Sequence, residues 1–136
     1  MSDEPRWLDV ALVLDFHAEQ LALFGGPEGV RDKGLLESAL ARPINKFGYG
    51  ESDMAALAAA YGFGIAKNHP FIDGNKRTAL AAMIVFIGLN QLDVEASPQE
   101  LSVVVLSLAA GEISEDLLAP WLREHLQPLD APSIQP

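Results

Sequence analysis

Apolar residues recur at helical spacing along most of the 136-residue chain. Over residues 8–24 they fall at Leu8, Ala11, Leu12, Leu14, Ala18, Leu21 and Ala22, one stripe of an amphipathic helix. Gly25-Gly26-Pro27 ends that pattern. Asp32 is placed to cap a short helix carrying Leu35, Leu36, Ala39 and Leu40. Pro43 is expected to limit it, because a proline pushes the preceding residue out of helical angles. Residues 44–51, with Gly48, Tyr49 and Gly50, read as a flexible loop or short hairpin. Ser52 or Asp53 then caps a helix over residues 54–68, rich in alanine and apolar almost all round, which is the pattern of a central buried helix. A polar loop follows. Residues 75–89 are again almost wholly apolar after their first turn.

Residues 92–96 are at most a short extended piece. Ser97-Pro98-Gln99-Glu100 is a helix start, with a hydroxyl cap, proline at the first helical position and glutamate three residues after the cap. That helix is expected to reach Ala110 and stop at Gly111. Ser114 begins a last helix toward Gln127, which Pro120 should kink or split. With no convincing strand run, the class is all-α: a compact single-domain bundle over residues 1–127, with residues 128–136 as a flexible C-terminal tail.

Nearly half the residues are apolar, which is incompatible with a disordered chain. There is no cysteine, so disulfides, thiolate metal sites and a cysteine nucleophile are excluded. The acidic start lacks a secretory pattern, and the longest greasy stretch, residues 78–89, falls short of the roughly 20 residues a bilayer requires. No membrane association and a cytoplasmic location are expected. A net charge of −10 argues against sequence-independent nucleic-acid binding. The charge is uneven, however. Residues 31–77 hold seven of the nine Lys and Arg residues against five acids, a positive middle able to focus an anionic ligand.

The polar loop is His69-Pro70-Phe71-Ile72-Asp73-Gly74-Asn75-Lys76-Arg77. Gly74 and Asn75 stand where loop becomes helix, and the first N–H groups of a helix lack internal partners and attract anions. Asn75 can also turn its amide to a phosphate oxygen, or act as a plain cap. Lys76 and Arg77 oppose the helix dipole, a cost of about 0.3–1 kcal/mol each unless an anion sits between them. Asp73 is a hard oxygen donor able to anchor magnesium, which needs only one or two carboxylates beside phosphate oxygens. His69 is the candidate general base. Phe71 reads as a core anchor and Pro70 as a stiffener, while His17 and His125 read as ordinary helix-face residues.

This loop resembles the Fic/Doc superfamily pattern His-x-Phe-x-Asp/Glu-Gly-Asn-x-Arg at every fixed position: His69, Phe71, Asp73, Gly74, Asn75 and Arg77. Family members that transfer AMP commonly carry glycine after the asparagine and a second arginine three residues beyond the first; here those positions are Lys76 and Leu80. The lysine form looks like the death-on-curing (Doc) branch, as do Gly25-Gly26, residues 31–40 and Gly111-Glu112-Ile113-Ser114, so the likeness covers residues 8–127. It implies a Fic-fold bundle and a toxin of a toxin–antitoxin module. Such a toxin would transfer a phosphoryl group from ATP, with Mg2+, to a hydroxyl of translation elongation factor Tu. His69 would be catalytic, Asp73 would hold the metal, and Gly74, Asn75, Lys76 and Arg77 would hold phosphates. Residues 44–51 would form a flap in which Tyr49 positions the target. No internal inhibitory Ser/Thr-x-x-x-Glu-Gly/Asn pattern is found, since Ser107 has glycine at the glutamate position. A separate small antitoxin is therefore implied. An AMP transferase acting on a protein hydroxyl and a catalytically silent regulatory binding module stay open as other readings.

Overall fold

Five local signals start five of the helices. Asp9, Asp32, Asp53, Ser97 and Ser114 each accept a backbone N–H of the first turn, satisfying one of the donors that a helix start leaves orphaned. The computed structural model describes residues 4–129. It holds α1 (Val10–Phe24), α2 (Lys33–Gly48), α3 (Met54–Asn68), α4 (Asn75–Leu89), β1 (Leu92–Val94), α5 (Pro98–Ala109), α6 (Glu115–His125) and β2 (Leu126–Pro128). The all-α class and the bundle architecture hold.

α3 is the axis of the bundle. It packs against α2, α4, α5 and α6, and residues Ala55 to Gly62 are buried without a break. Small side chains make this possible. A Cβ on Gly64 would stand 3.2 Å from the Cα, Cβ and carbonyl oxygen of Ala39, so α2 and α3 approach there at backbone distance. Tyr61, Phe71, Phe86, Leu57, Ile65 and Met83 fill the centre.

Four expectations are corrected. Pro43 does not end α2, which runs on to Gly48, so residues 44–51 are mostly helix and not a hairpin. The bond that proline removes would have used the carbonyl of Ala39, the group that lies against Gly64, and burial of Leu36, Ala39, Leu40 and Pro43 outweighs its loss. Glu115 also ties this half of α2 to α6, accepting from Arg42 Nε at 2.9 Å and from Lys46 Nζ at 2.7 Å. Pro120 does not split α6, which stays continuous with Leu118, Ala119 and Leu122 buried. Finally, the chain after His125 is extended. β2 pairs antiparallel with β1, with Leu92 opposite Pro128 and Val94 opposite Leu126, and Leu129 N–H donates to Gln91 O at 3.1 Å. Pro128 and Leu129 are thus part of the fold and not of a free tail; the rest of the expected tail, residues 130–136, lies outside the described residues.

Candidate active site

α3 ends on His69, whose backbone is left-handed at φ 49°, ψ 55°. That region costs a non-glycine residue on the order of 1 kcal/mol or more, so its surroundings must hold it. Arg31 does. Its Nε donates to His69 O at 2.7 Å and its Nη2 to Asn68 O at 2.8 Å, satisfying carbonyls at the end of α3. The backbone N–H groups of Arg31 and Asp32 both donate to Pro70 O, at 2.7 and 3.1 Å. Val30 bridges Phe71, and Ile72 N–H donates to Gly29 O at 3.1 Å. Residues 29–32 therefore lie along the loop as a short strand-like brace.

Inside the loop, Asn75 makes the turn. Its Oδ1 accepts Phe71 N–H at 2.9 Å and its Nδ2 donates to Phe71 O at 2.9 Å. The same Nδ2 lies 3.4 Å from His69 Nδ1, the outer limit of a hydrogen bond, in which the amide could only donate. Phe71 is the anchor expected, at 1 % exposure. The side chain of Asn75 is buried, bonds Phe71 through both its amide atoms and caps nothing; the residue also lines the cavity at which the loop's polar groups meet.

α4 starts without a side-chain cap, unlike the five helices above. Gly74 occupies the cap position at φ 80°, which glycine adopts freely, and the first internal bond is Thr78 N–H to Gly74 O. The N–H groups of Asn75, Lys76 and Arg77 point ahead of that bond with the positive end of the helix dipole behind them. Lys76 and Arg77 are exposed, and neither forms an ion pair with an acid among the described residues. The Arg77 guanidinium lies 4.3 Å from the centroid of the Phe24 ring, which steadies it without neutralising it.

These groups meet at a cavity of about 530 Å3. Its polar side carries His69, Asp73, Gly74, Asn75, Lys76 and Arg77, and its apolar side carries Ile72, Leu80, Val105 and Leu106, with Ser102 between. His69 is exposed there and not packed into hydrocarbon. One oxygen of Asp73 accepts Gly74 N–H at 2.8 Å, and the other packs against Gly26, where a Cβ would come within 2.5 Å. Among the described residues no three His, Asp or Glu side chains converge on a cation position. A cation at Asp73 would have to share phosphate oxygens, which suits magnesium.

His69, Asp73, Gly74, Asn75, Lys76 and Arg77 are thus brought together at one cavity, where the side chain of Asn75 also ties the loop to Phe71. Tyr49 is not brought in. It is 94 % exposed at the C-terminal end of α2, whose sixteen residues put it about 24 Å from the Arg31–Asp32 junction at 1.5 Å per residue. The segment beside the loop is 29–32, not 44–51. Sequence reasoning missed Arg31, Gly26 and Phe24, and it misread His17, which is buried and reaches Asp73. The signal for His17 was present: it stands four residues from both Val13 and Leu21, on the buried stripe of α1.

No helix among the described residues is long and apolar enough to cross a membrane. The sequence is 34% identical to the "Protein kinase doc" of Escherichia phage P1 over 112 residues, which cover 82% of this chain and 88% of that protein. It is 45% identical to the "Toxin Doc" of Mycolicibacterium smegmatis over 76 residues, 54% of this chain and 58% of that one. Residues 7–87, which include the loop, its brace, α3 and all but the last two residues of α4, match the Fic/DOC family. The chain belongs to the Fic/DOC family, in its Doc branch.

Proposed function

We propose that this chain is a Doc-type toxin that transfers the γ-phosphoryl group of ATP to a hydroxyl of a protein. The observation that supports this most is the uncapped start of α4, with Lys76 and Arg77 unneutralised, in a cavity that also exposes His69. The names of its relatives, a protein kinase and a toxin, agree with it.

In this reading His69 takes the proton of the target hydroxyl as its oxygen forms a bond to the γ-phosphorus, while the bond from that phosphorus to the bridging oxygen breaks and ADP leaves. The N–H groups of Asn75, Lys76 and Arg77 and the two cationic side chains hold the phosphates and offset the charge that develops on them. Asp73 would hold magnesium, which when bound would supply positive charge to offset that of the phosphates. Leu80 stands in the cavity wall where AMP-transferring members carry a second arginine, so this site has one fewer charge to hold the nucleotide in the orientation that transfers AMP. The target is elongation factor Tu and the consequence is arrested translation in the cytoplasm. A small antitoxin would restrain the protein by docking a helix along the α5 side of the cavity, where Val103 and Leu106 are exposed.

The test is transfer from ATP labelled at the γ or the α position, with magnesium and purified elongation factor Tu. Label from the γ position on the factor is expected, and His69→Ala should abolish it with little change in melting temperature. Label from the α position instead would mean AMP transfer. No label from either would overturn the reading, and toxicity that survives His69→Ala would favour a silent binding module.

A further inference from the structure

We propose that His17, on α1, is a positioning residue that aims Asp73 and the start of α4; the functional side of this inference rests on the reading of the site just given. The His17 ring is 5 % exposed and touches three of the loop's working parts. Its Nε2 lies 2.7 Å from the Asp73 carbonyl oxygen. A carbonyl only accepts, so Nε2 carries the proton and donates. The ring stacks on Phe71 with centroids 3.8 Å apart and planes 8° apart. Its Cδ2 edge packs on Gly74, where a Cβ would stand 3.5 Å away.

These contacts act on one peptide plane. The Asp73 carbonyl and the Gly74 N–H belong to the same planar unit. Fixing the carbonyl with a buried donor therefore fixes the direction of the N–H, which in turn holds one oxygen of the Asp73 carboxylate at 2.8 Å. The same plane leads into Gly74, the left-handed residue from which α4 departs. His17 thus sets the carboxylate and the amides of α4 together, from outside the cavity and without touching a ligand. A histidine that merely filled the core would need only its ring and its stack.

The difference can be measured in three variants. His17→Phe keeps a ring on Phe71 and removes the donor; His17→Gln keeps a donor and removes the stack; His17→Leu removes both. In the wild-type protein without nucleotide, ring nitrogen spectra should show the proton on Nε2, with a coupling across the bond to the Asp73 carbonyl carbon. In His17→Phe the amide signals of Gly74, Lys76 and Arg77 should move, and the affinity for a non-hydrolysable ATP analogue with magnesium should fall about tenfold, the worth of one buried hydrogen bond. His17→Gln should recover most of that affinity even where its melting temperature stays low. A proton on Nδ1, or a His17→Phe protein with unmoved loop amides and wild-type analogue affinity, would overturn the proposal. The spectra need neither nucleotide nor transfer, so they decide the positioning role even if the proposed reaction fails.

Discussion

Asn75 holds both backbone polar groups of Phe71, accepting its N–H at 2.9 Å and donating to its carbonyl at 2.9 Å. That ring of two bonds folds the loop back onto the first residue of α4, with Phe71 driven into the core and His69 and Asp73 left on the cavity side. Asn75→Asp should be the most damaging change at this position. It replaces the donor with a second acceptor facing a buried carbonyl, and a buried group left unsatisfied costs about 1–3 kcal/mol, more when charged. Asn75→Ala should cost less than Asn75→Asp and still abolish transfer. Chemical denaturation of the pair checks the order; equal stabilities would mean the ring does not hold the turn.

Arg31 is the second brace. It closes two carbonyls at the end of α3 while His69 sits in the left-handed region. Arg31→Lys keeps the charge and loses the fork that reaches both carbonyls at once. Transfer activity should drop on the order of tenfold or more, by misplacing His69, with a stability loss of about 1–2 kcal/mol. The measurement is single-turnover rate at saturating ATP against the melting curve. A rate unchanged while stability falls would reduce Arg31 to a helix cap.

The parts of this fold legible in the sequence are those set by local chemistry. The caps Asp32, Asp53, Ser97 and Ser114 and the bounds of α3 and α4 follow from a few neighbouring residues each. The failures are places where distant packing overrides a local rule. Pro43 is a helix stop by itself, and distant partners, Gly64 of α3 lying against Ala39 and Glu115 of α6 bonding Arg42 and Lys46, make it more favourable for α2 to continue. Leu126 to Pro128 has no strand signal, and becomes one because Leu92 to Val94 offers an edge. In the site, the motif residues could be read because their spacing carries their chemistry. Arg31 and Gly26 could not, because the groups they act on lie 38 and 47 residues away; the spacing of His17 marked its burial but not its partner, 56 residues on.

Gly26 illustrates that distance. Its φ of 122° suits glycine alone, and a Cβ there would stand 2.5 Å from Asp73 Oδ2. Gly26→Ala should therefore do two things. Backbone strain should lower stability by about 1 kcal/mol or more. The carboxylate should also be pushed from its place, so the magnesium concentration needed for half-maximal transfer should rise several-fold. Gly48→Ala is the control, since nothing stands within 4 Å of the Cβ it adds. A Gly26→Ala protein with wild-type magnesium dependence would show that this oxygen does not face the metal.

Glu115 should affect stability and leave chemistry alone. Its carboxylate is 8% exposed and bonds Arg42 and Lys46, joining α6 to α2 on both sides of Pro43. Glu115→Gln keeps the shape and one acceptor but leaves two cations without their countercharge. Both cations are partly solvated, so the cost should be about 1–3 kcal/mol, below that of a fully buried pair. Denaturation should show this loss, and per-molecule transfer at low temperature should match wild type. A change in transfer rate would mean that α2 and α6 reach the site in a way the contacts do not explain.

Tyr61 is fully buried on α3, beside Phe86, and its oxygen accepts Leu8 N–H at 3.0 Å. Burial pushes its hydroxyl up from the ordinary 10.0 to about 12, against a smaller lowering by the Leu8 bond. The folded protein therefore favours the neutral phenol. Its contribution is fully present below about pH 10, where the phenol is protonated in both states. Between 10 and 12 the unfolded chain loses the proton first, and stability falls by about 1.4 kcal/mol per pH unit. The full loss is on the order of 2–3 kcal/mol. Tyr61→Phe should flatten that alkaline limb. At neutral pH it should be less stable by about 1–3 kcal/mol, because Leu8 N–H is left buried without its acceptor. Urea unfolding at several pH values, wild type against Tyr61→Phe, separates the two effects. Parallel curves between pH 10 and 12 would mean that another group carries the alkaline limb.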